Sequence, residues 1–179
     1  MEYIIQTDQE AAVDIERIIY EYGDSLLRLC TIYLKDRQLA EDAVQETFIK
    51  VYQKYGTFNG GAQEKTWVMK IAMNTCKNYM RTSWFKRVTT GVNLETVSEE
   101  VVDSTIIEEE QQKQLLLEIA GLSYKYKEVI LLYYYEEIST REIAQVLNIK
   151  EGSVRVRLQR AREKLSIKLK EVNHHEESL

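Results

Sequence analysis

The 179-residue chain contains no proline and only seven glycines. Proline removes a backbone donor and clashes inside a helix, and glycine raises the entropy lost when a helix forms. A chain short of both can run in long uninterrupted helices. Much of the remainder is Leu, Ile, Glu, Lys, Gln and Ala, residues that favour that state. The predicted fold class is therefore all-α. Hydrophobic residues make up 44% and charged residues 30%, which supplies enough apolar side chain for a packed core. The length suits one ordinary domain or two small ones.

Several classes are disfavoured at once. No apolar run approaches the length of a membrane span. The N-terminus, MEYIIQTDQEAAVD, lacks a basic stretch followed by an apolar core and does not read as a secretory signal. Cys30 and Cys76 each fall inside an apolar helical pattern and read as buried, reduced thiols of a cytosolic protein. His174 and His175 sit in a polar tail with no cysteine at ligand spacing, so a solvated tail is expected rather than a zinc site. No metal or other cofactor is expected.

The formal net charge of −5 hides a strong segregation. Lys65–Arg87 holds six basic residues and no acid, whereas Val88–Gln114 holds seven acids and one lysine. Lys150–Lys170 holds eight basic residues against two acids. The acidic stretch has no clear apolar stripe in its first half and reads as a linker over 88–111, with a helix starting near Ser104. This predicts two helical modules, 1–87 and 112–172, followed by a polar tail at 173–179. The linker carboxylates would repel nucleic acid and partly mask the basic faces of the free chain.

In the second module, SYKYKEVILLYYYEE (Ser123–Glu137) reads as a helix with Ser123 as its N-cap. STREIAQVL follows, with Ser139 and Glu142 at capping-box spacing and Ile143, Ala144, Val146 and Leu147 for packing. A break at Asn148–Lys150 leads into EGSVRVRLQRAREKL. At 100° per residue, Val154, Leu158, Ala161 and Leu165 form one stripe. Arg155, Val156, Gln159 and Arg160 lie opposite, with Ser153 near the start and Arg157 on a flank. Two helices joined by so short a turn form a helix-turn-helix, and this division suits a recognition helix: one side docks, the other presents Arg and Gln to base edges. A solvated basic face is the plain alternative, and the capped helix upstream makes DNA binding the better reading.

In the first module, Arg37–Tyr55 is amphipathic, with Ala40, Ala43, Val44, Phe48, Val51 and Tyr55 facing inward. Asp42, Gln45, Glu46, Ile49 and Gln53 face outward. An isoleucine among carboxylates suits a protein-docking face, although lone exposed apolar residues are common. After the loop TFNGGAQE, the next helix buries Val68, Ile71, Ala72, Thr75, Cys76 and Tyr79. Lys70, Asn74, Lys77 and Arg81 stack along its other side, bordered by Trp67 and Asn78, with Met73 nearby. Lysines neutralise phosphates and Asn reads base edges. With no carboxylate between the lysines, the stripe suits single-stranded or opening DNA better than a plain solvent face. Trp67 reads as core. Gly60-Gly61 lacks both the P-loop and the dinucleotide-binding spacing.

At this point the chain resembles a known family, the extracytoplasmic function (group 4) sigma factors of the sigma-70 family. DRQLAEDAVQETFIKVYQKYGTF resembles their region 2.2, KTWVMKIAMNTCKNYMRTSW regions 2.3 and 2.4, and LSYKYKEVILLYYYEEISTREIAQVLNIKEGSVRVRLQRAREKL region 4. The likeness runs in the right order from about Ile15 to Leu169. It implies a sigma factor with no catalytic site, which binds bacterial core RNA polymerase, directs it to promoters and assists DNA opening. Asp42, Gln45, Glu46 and Ile49 would meet the β′ clamp coiled coil, and the second module the β flap. Lys70, Asn74, Lys77, Asn78 and Arg81 would engage the −10 element, with Asn74 at a flipped base and loop 58–62 at the place of the specificity loop. Ser153, Arg155, Val156, Arg157, Gln159 and Arg160 would read the −35 element. The resemblance further implies a cytoplasmic protein controlled by an anti-sigma factor, often a membrane-bound one that holds it at the inner face of the membrane.

Two features depart from the family's pattern. Leu122-Ser123 stands where Leu-Pro is frequent, and Gln159 stands where some members carry an aromatic residue, so promoter preference does not transfer. Two other readings explain less of the chain. A stand-alone regulator binding duplex operators explains the helix-turn-helix but leaves the Asp42/Gln45/Glu46 face and the second basic helix without a role. A small nuclease would need clustered metal-binding carboxylates near a basic groove, and the 65–87 segment has none.

Overall fold

The computed structural model describes the backbone of residues 2–90 and 110–176, and side chains over residues 15–82 and 112–170. The acidic linker, including the helix start expected near Ser104, lies outside the described residues apart from its two ends, as do the side chains of the polar tail. Every regular element among the described residues is helical. α1 spans Glu2–Leu34, α2 Arg37–Lys54 and α3 Glu64–Thr90, so α3 continues three residues past the boundary read from charge. α4 spans Glu110–Gly121, α5 Tyr124–Ile130, α6 Thr140–Leu147 and α7 Glu151–Glu176.

The first three helices pack mutually. On α1, Ile18, Tyr22, Leu26, Leu29, Cys30 and Tyr33 are all buried and recur every three or four residues, the period of one helix face. Lys35, at φ 62°, ends α1, and the Asp36 carboxylate then accepts from the Leu39 amide at 2.9 Å. That cap satisfies one of the orphan donors at the start of α2 and turns the chain back on itself. α2 buries Ala40, Ala43, Thr47 and Val51, with Val44, Phe48 and Tyr55 partly covered, close to the face expected from its sequence. The two cysteines meet in this core, fully buried with sulfurs 3.3 Å apart. Hydrogen bonding from Cys76, reinforced by burial, pushes the Cys30 thiol well up, and a protonated thiol is a poor nucleophile.

α4 to α7 form the second unit, in which α7 packs on α4, α5 and α6. The long helix expected over Ser123–Glu137 differs in form. α5 is regular only to Ile130 and then widens into a π-helical turn over Leu131–Tyr135, closed by Glu137 at φ 53°. Leu131 and Leu132, at the start of this turn, are both buried. Ser123 occupies the N-cap position, but its hydroxyl makes no capping bond; its carbonyl instead accepts from the Tyr126 and Lys127 amides. The capping box of α6 is formed as read, with Ser139 Oγ accepting from the Glu142 amide and the Glu142 carboxylate accepting from the Ser139 amide. Ser139→Ala is expected to cost about 1 kcal/mol, visible as a lower thermal midpoint with unchanged helix content at 20 °C.

The two units are packed together, an arrangement that the sequence left open. α3 lies against α6, and α1 touches α4 and α5. Met69 and Met73 are fully buried, and with Thr66 and Lys77 they share one stripe of α3. Thr66 Oγ1 donates to Glu142 Oε1 at 2.9 Å and Lys77 Nζ lies 3.1 Å from Glu128 Oε2, so both ends of the stripe engage the second unit. Met73, expected near the exposed side, is therefore buried. It serves a second packing face that a single-stripe reading of α3 does not contain.

Candidate nucleic-acid interface

α7 is positioned by its apolar stripe. Val154, Leu158, Ala161 and Leu165 are all buried, as expected. Asn148, in the left-handed conformation at φ 53°, ends α6 and sets the short turn into α7. Ser153, Arg155, Val156, Gln159 and Arg160 are exposed, which places five of the six predicted −35 readers on one open face. Val156 is an exposed apolar side chain amid them, of the kind that meets a thymine methyl. Two readers are tied back within their own helix: Arg155 Nη2 to Glu151 Oε1 at 2.7 Å and Gln159 Nε2 to Glu163 Oε1 at 3.0 Å. The Glu151 carboxyl lies below its usual range, held there first by the Thr140 hydroxyl and then by Arg155.

Arg157 is different. Its guanidinium turns inward and donates to Glu128 Oε1 at 2.7 Å, so it buttresses α5 instead of extending the open face. Sequence reasoning missed Lys125 and Tyr126. They line a shallow cleft with Gly152, Ser153, Val156, Arg157 and Arg160, which adds a lysine from the start of α5 to the cationic surface. Its signal was present in SYKYKE, but only the fold brings that lysine beside α7.

On α3, Lys70, Asn74, Asn78 and Arg81 are exposed in the predicted stripe. Arg81 Nη2 donates to Asn78 Oδ1 at 3.3 Å, linking successive turns. Trp67 is half-buried in an aromatic cluster, its ring 5.2 Å from Phe58 and 6.1 Å from Tyr55, consistent with its reading as core. Lys77 leans to the edge of the stripe and pairs with Glu128. The absence of acids between the lysines is thus partly made good in space. Glu128 supplies the carboxylate for Lys77, and the Glu136 carboxylate lies 3.3 Å from Lys65 Nζ, which also donates to the Glu136 carbonyl at 2.6 Å.

The loop before α3 is closed at its neck. Glu64 receives both guanidinium nitrogens of Arg17, at 2.6 and 2.9 Å, and the Tyr55 hydroxyl at 2.9 Å. The Arg17 hydrogen bonds hold the Glu64 carboxyl below its usual range. At the tip, Asn59, Gly60 and Gly61 are exposed; Gly60 takes φ 70°, and Asn59 Oδ1 accepts from the Gly61 amide.

The outer side of α2 carries exposed Asp42, Gln45 and Ile49, with Glu46 at their edge. Ile49 retains 56% of its exposure, and Tyr52 one turn further on is also open. Glu46 pairs with Lys50 at 2.5 Å, a bond that, with help from Tyr79, draws its carboxyl below the usual range. This leaves an apolar side chain ringed by polar groups on the surface. Among the described residues no cluster of His, Cys, Asp and Glu is arranged to hold a metal ion, and no helix is long and apolar enough to cross a membrane.

Comparison with known proteins gives these faces a context. The family model described as sigma-70 region 2 matches residues 18–86, and that for sigma-70 region 4 matches residues 112–165. The ECF RNA polymerase sigma factor SigW of Bacillus subtilis is 31% identical over 175 residues, covering 92% of each chain. SigM of the same organism is 30% identical over 152 residues, covering 84% of this chain and 92% of its own. In fold, the chain resembles the sigma factor RpoE of Bartonella quintana, solved with the anti-sigma factor NepR. The TM-score is 0.78 at 23% identity, over 88% of this chain and 97% of that one. With both regions matched in order and a relative alike over nearly its whole length, the chain belongs to the extracytoplasmic function RNA polymerase sigma factors of the sigma-70 family.

Proposed function

We propose that this sigma factor grips a promoter at two points while its α2 face holds the polymerase. The observation that carries the reading is the division of α7 into a buried stripe and an open face of Ser153, Arg155, Val156, Gln159 and Arg160. That face reads the −35 element, with Lys125 adding a phosphate contact and Arg157 backing it from the flank. Lys70, Asn74, Lys77, Asn78 and Arg81 engage the −10 element and its separated strand. Asp42, Gln45, Glu46 and Ile49 dock on the β′ clamp coiled coil, and the second unit on the β flap. Residues 1–87 then form the −10 and polymerase module, 88–111 the linker, 112–172 the −35 module and 173–179 a tail. The chain performs no catalysis itself. An anti-sigma factor, as found with the Bartonella relative, controls it. A membrane-bound one would keep it at the cytoplasmic face of the membrane.

The test is reconstitution with sigma-free bacterial core polymerase, scored by promoter-dependent transcripts. Arg155→Ala is expected to lower −35-dependent transcription about 5- to 150-fold, the range for losing one good base contact. Glu46→Ala is expected to weaken binding to core polymerase while promoter choice stays the same. Equal loss of both activities in both folded variants would overturn this division. Tight operator binding with no transcripts from a promoter library would instead favour a stand-alone regulator.

A further inference from the structure

We propose that Glu128 is a latch that stands in for a DNA phosphate, holding Lys77 of the −10 face against Arg157, the arginine that backs the −35 face, on one carboxylate. The inference rests on the reading of those two faces given above. The Glu128 side chain is only 6% exposed, with Oε1 on Arg157 Nη1 at 2.7 Å and Oε2 on Lys77 Nζ at 3.1 Å. A buried carboxylate of this kind needs both charges, because a desolvated anion left unpaired is costly. The arrangement, two oxygens meeting a guanidinium and an ammonium, is the one a backbone phosphate would offer the same side chains.

The closed arrangement is incompatible with a two-point grip. The −10 and −35 elements are separated by about 25 base pairs, or about 85 Å along B-form DNA. Lys77 and Arg157 share a single carboxylate, so both faces cannot reach their elements until the units part. Arg157 belongs to the same unit as Glu128 and keeps its bond when that happens. Lys77 is the partner that leaves, and it is then free for phosphate.

The rest of the contact is of a kind that can separate. Thr66 to Glu142, Lys65 to the Glu136 carbonyl, and Lys127 Nζ to the Tyr33 carbonyl at 3.4 Å join the units around Met69 and Met73. The polar bonds exchange for water bonds at modest net cost, and uncovering Met69 and Met73 is the apolar cost that polymerase or DNA contacts must offset. DNA and Glu128 therefore compete for Lys77, and the free protein is held off nucleic acid until polymerase or promoter draws the units apart.

The experiment uses the full chain with dyes on cysteines introduced at exposed Tyr20 and Ile167, the native thiols being buried. Glu128→Gln keeps the shape and removes the charge. Thr66→Glu sets a second carboxylate against Glu142 and leaves Glu128 and Lys77 untouched. Folding is checked by circular dichroism. Both variants are expected to lower energy transfer between the dyes and to bind a single-stranded −10 oligonucleotide about five- to tenfold more tightly without polymerase. Unchanged energy transfer in every folded variant overturns the latch. Separation in both without any gain in oligonucleotide affinity overturns the phosphate-mimic role. Transcription by Asn74→Ala and Arg155→Ala with core polymerase, measured in parallel, reports on the assignment of the two DNA faces independently of either result.

Discussion

Replacing Lys127 by methionine is expected to raise the stability of the folded chain at pH 7 and to flatten its dependence on pH. Lys127 is fully buried, with Nζ 3.4 Å from the Tyr33 carbonyl oxygen and 4.9 Å from the centre of the Tyr124 ring. The charge that faces it from the α1–α2 turn is another cation, Lys35, and the neighbouring Glu128 is committed to Lys77 and Arg157. Burial first, and Lys35 second, lower its pKa from the ordinary 10.5 to about 7. Between those values the unfolded chain holds a proton that the folded chain lacks, so stability rises with pH by up to about 1.4 kcal/mol per unit. Below about pH 7 both states carry the charge, and the folded state bears the full cost of burying it. Urea denaturation at pH 7, 7.5 and 8 should therefore show a rising midpoint in the wild type and a level, higher one in Lys127→Met. The window closes at 8 because the Cys30 thiol, raised by Cys76 and burial, favours unfolding as pH nears its ordinary 9.0, and the phenols of Tyr22 and Tyr33, raised chiefly by burial, do so once pH passes the ordinary 10.0. A level wild-type profile, or a Met variant less stable at pH 7, would rule the account out.

Leu158→Ala should act on the second unit as a fold defect and on transcription as a consequence. Leu158 is 3% exposed at the centre of the stripe that seats α7. Truncation leaves a cavity where α7 packs, and comparable leucines cost about 2–5 kcal/mol. For a unit of this size each kcal/mol moves the melting point by about 4–8 °C, so a fall of about 10 °C or more is expected. Arg155→Ala, three residues away on the open face, should leave the melting point within about 2 °C while removing −35 recognition. If calorimetry gave the two variants the same shift, the separation of α7 into seating and reading sides would fail.

The division of α7 into a buried and an exposed side was legible because the spacing of Val154, Leu158, Ala161 and Leu165 carries the whole packing signal. The α6 capping box was legible for a similar reason: its partners lie three residues apart. α3 was half legible. Its core stripe and its exposed Lys70, Asn74, Asn78 and Arg81 followed from periodicity, but Met69 and Met73 are buried by a helix some 70 residues further along the chain. The acids that pair with Lys65 and Lys77 come from the second unit, and local charge counting has no access to them. The π-turn of α5 escaped because Leu131–Tyr135 suits an ordinary helix equally well.

The neck of the 56–63 loop has an evolutionary consequence. Arg17, Tyr55 and Glu64 fasten its two ends, while Asn59, Gly60 and Gly61 touch little else. Changing the length of such a loop costs little entropy once its ends are held. Tip sequences of different length and composition can therefore be accommodated like interchangeable cassettes without disturbing the helices that carry the tip.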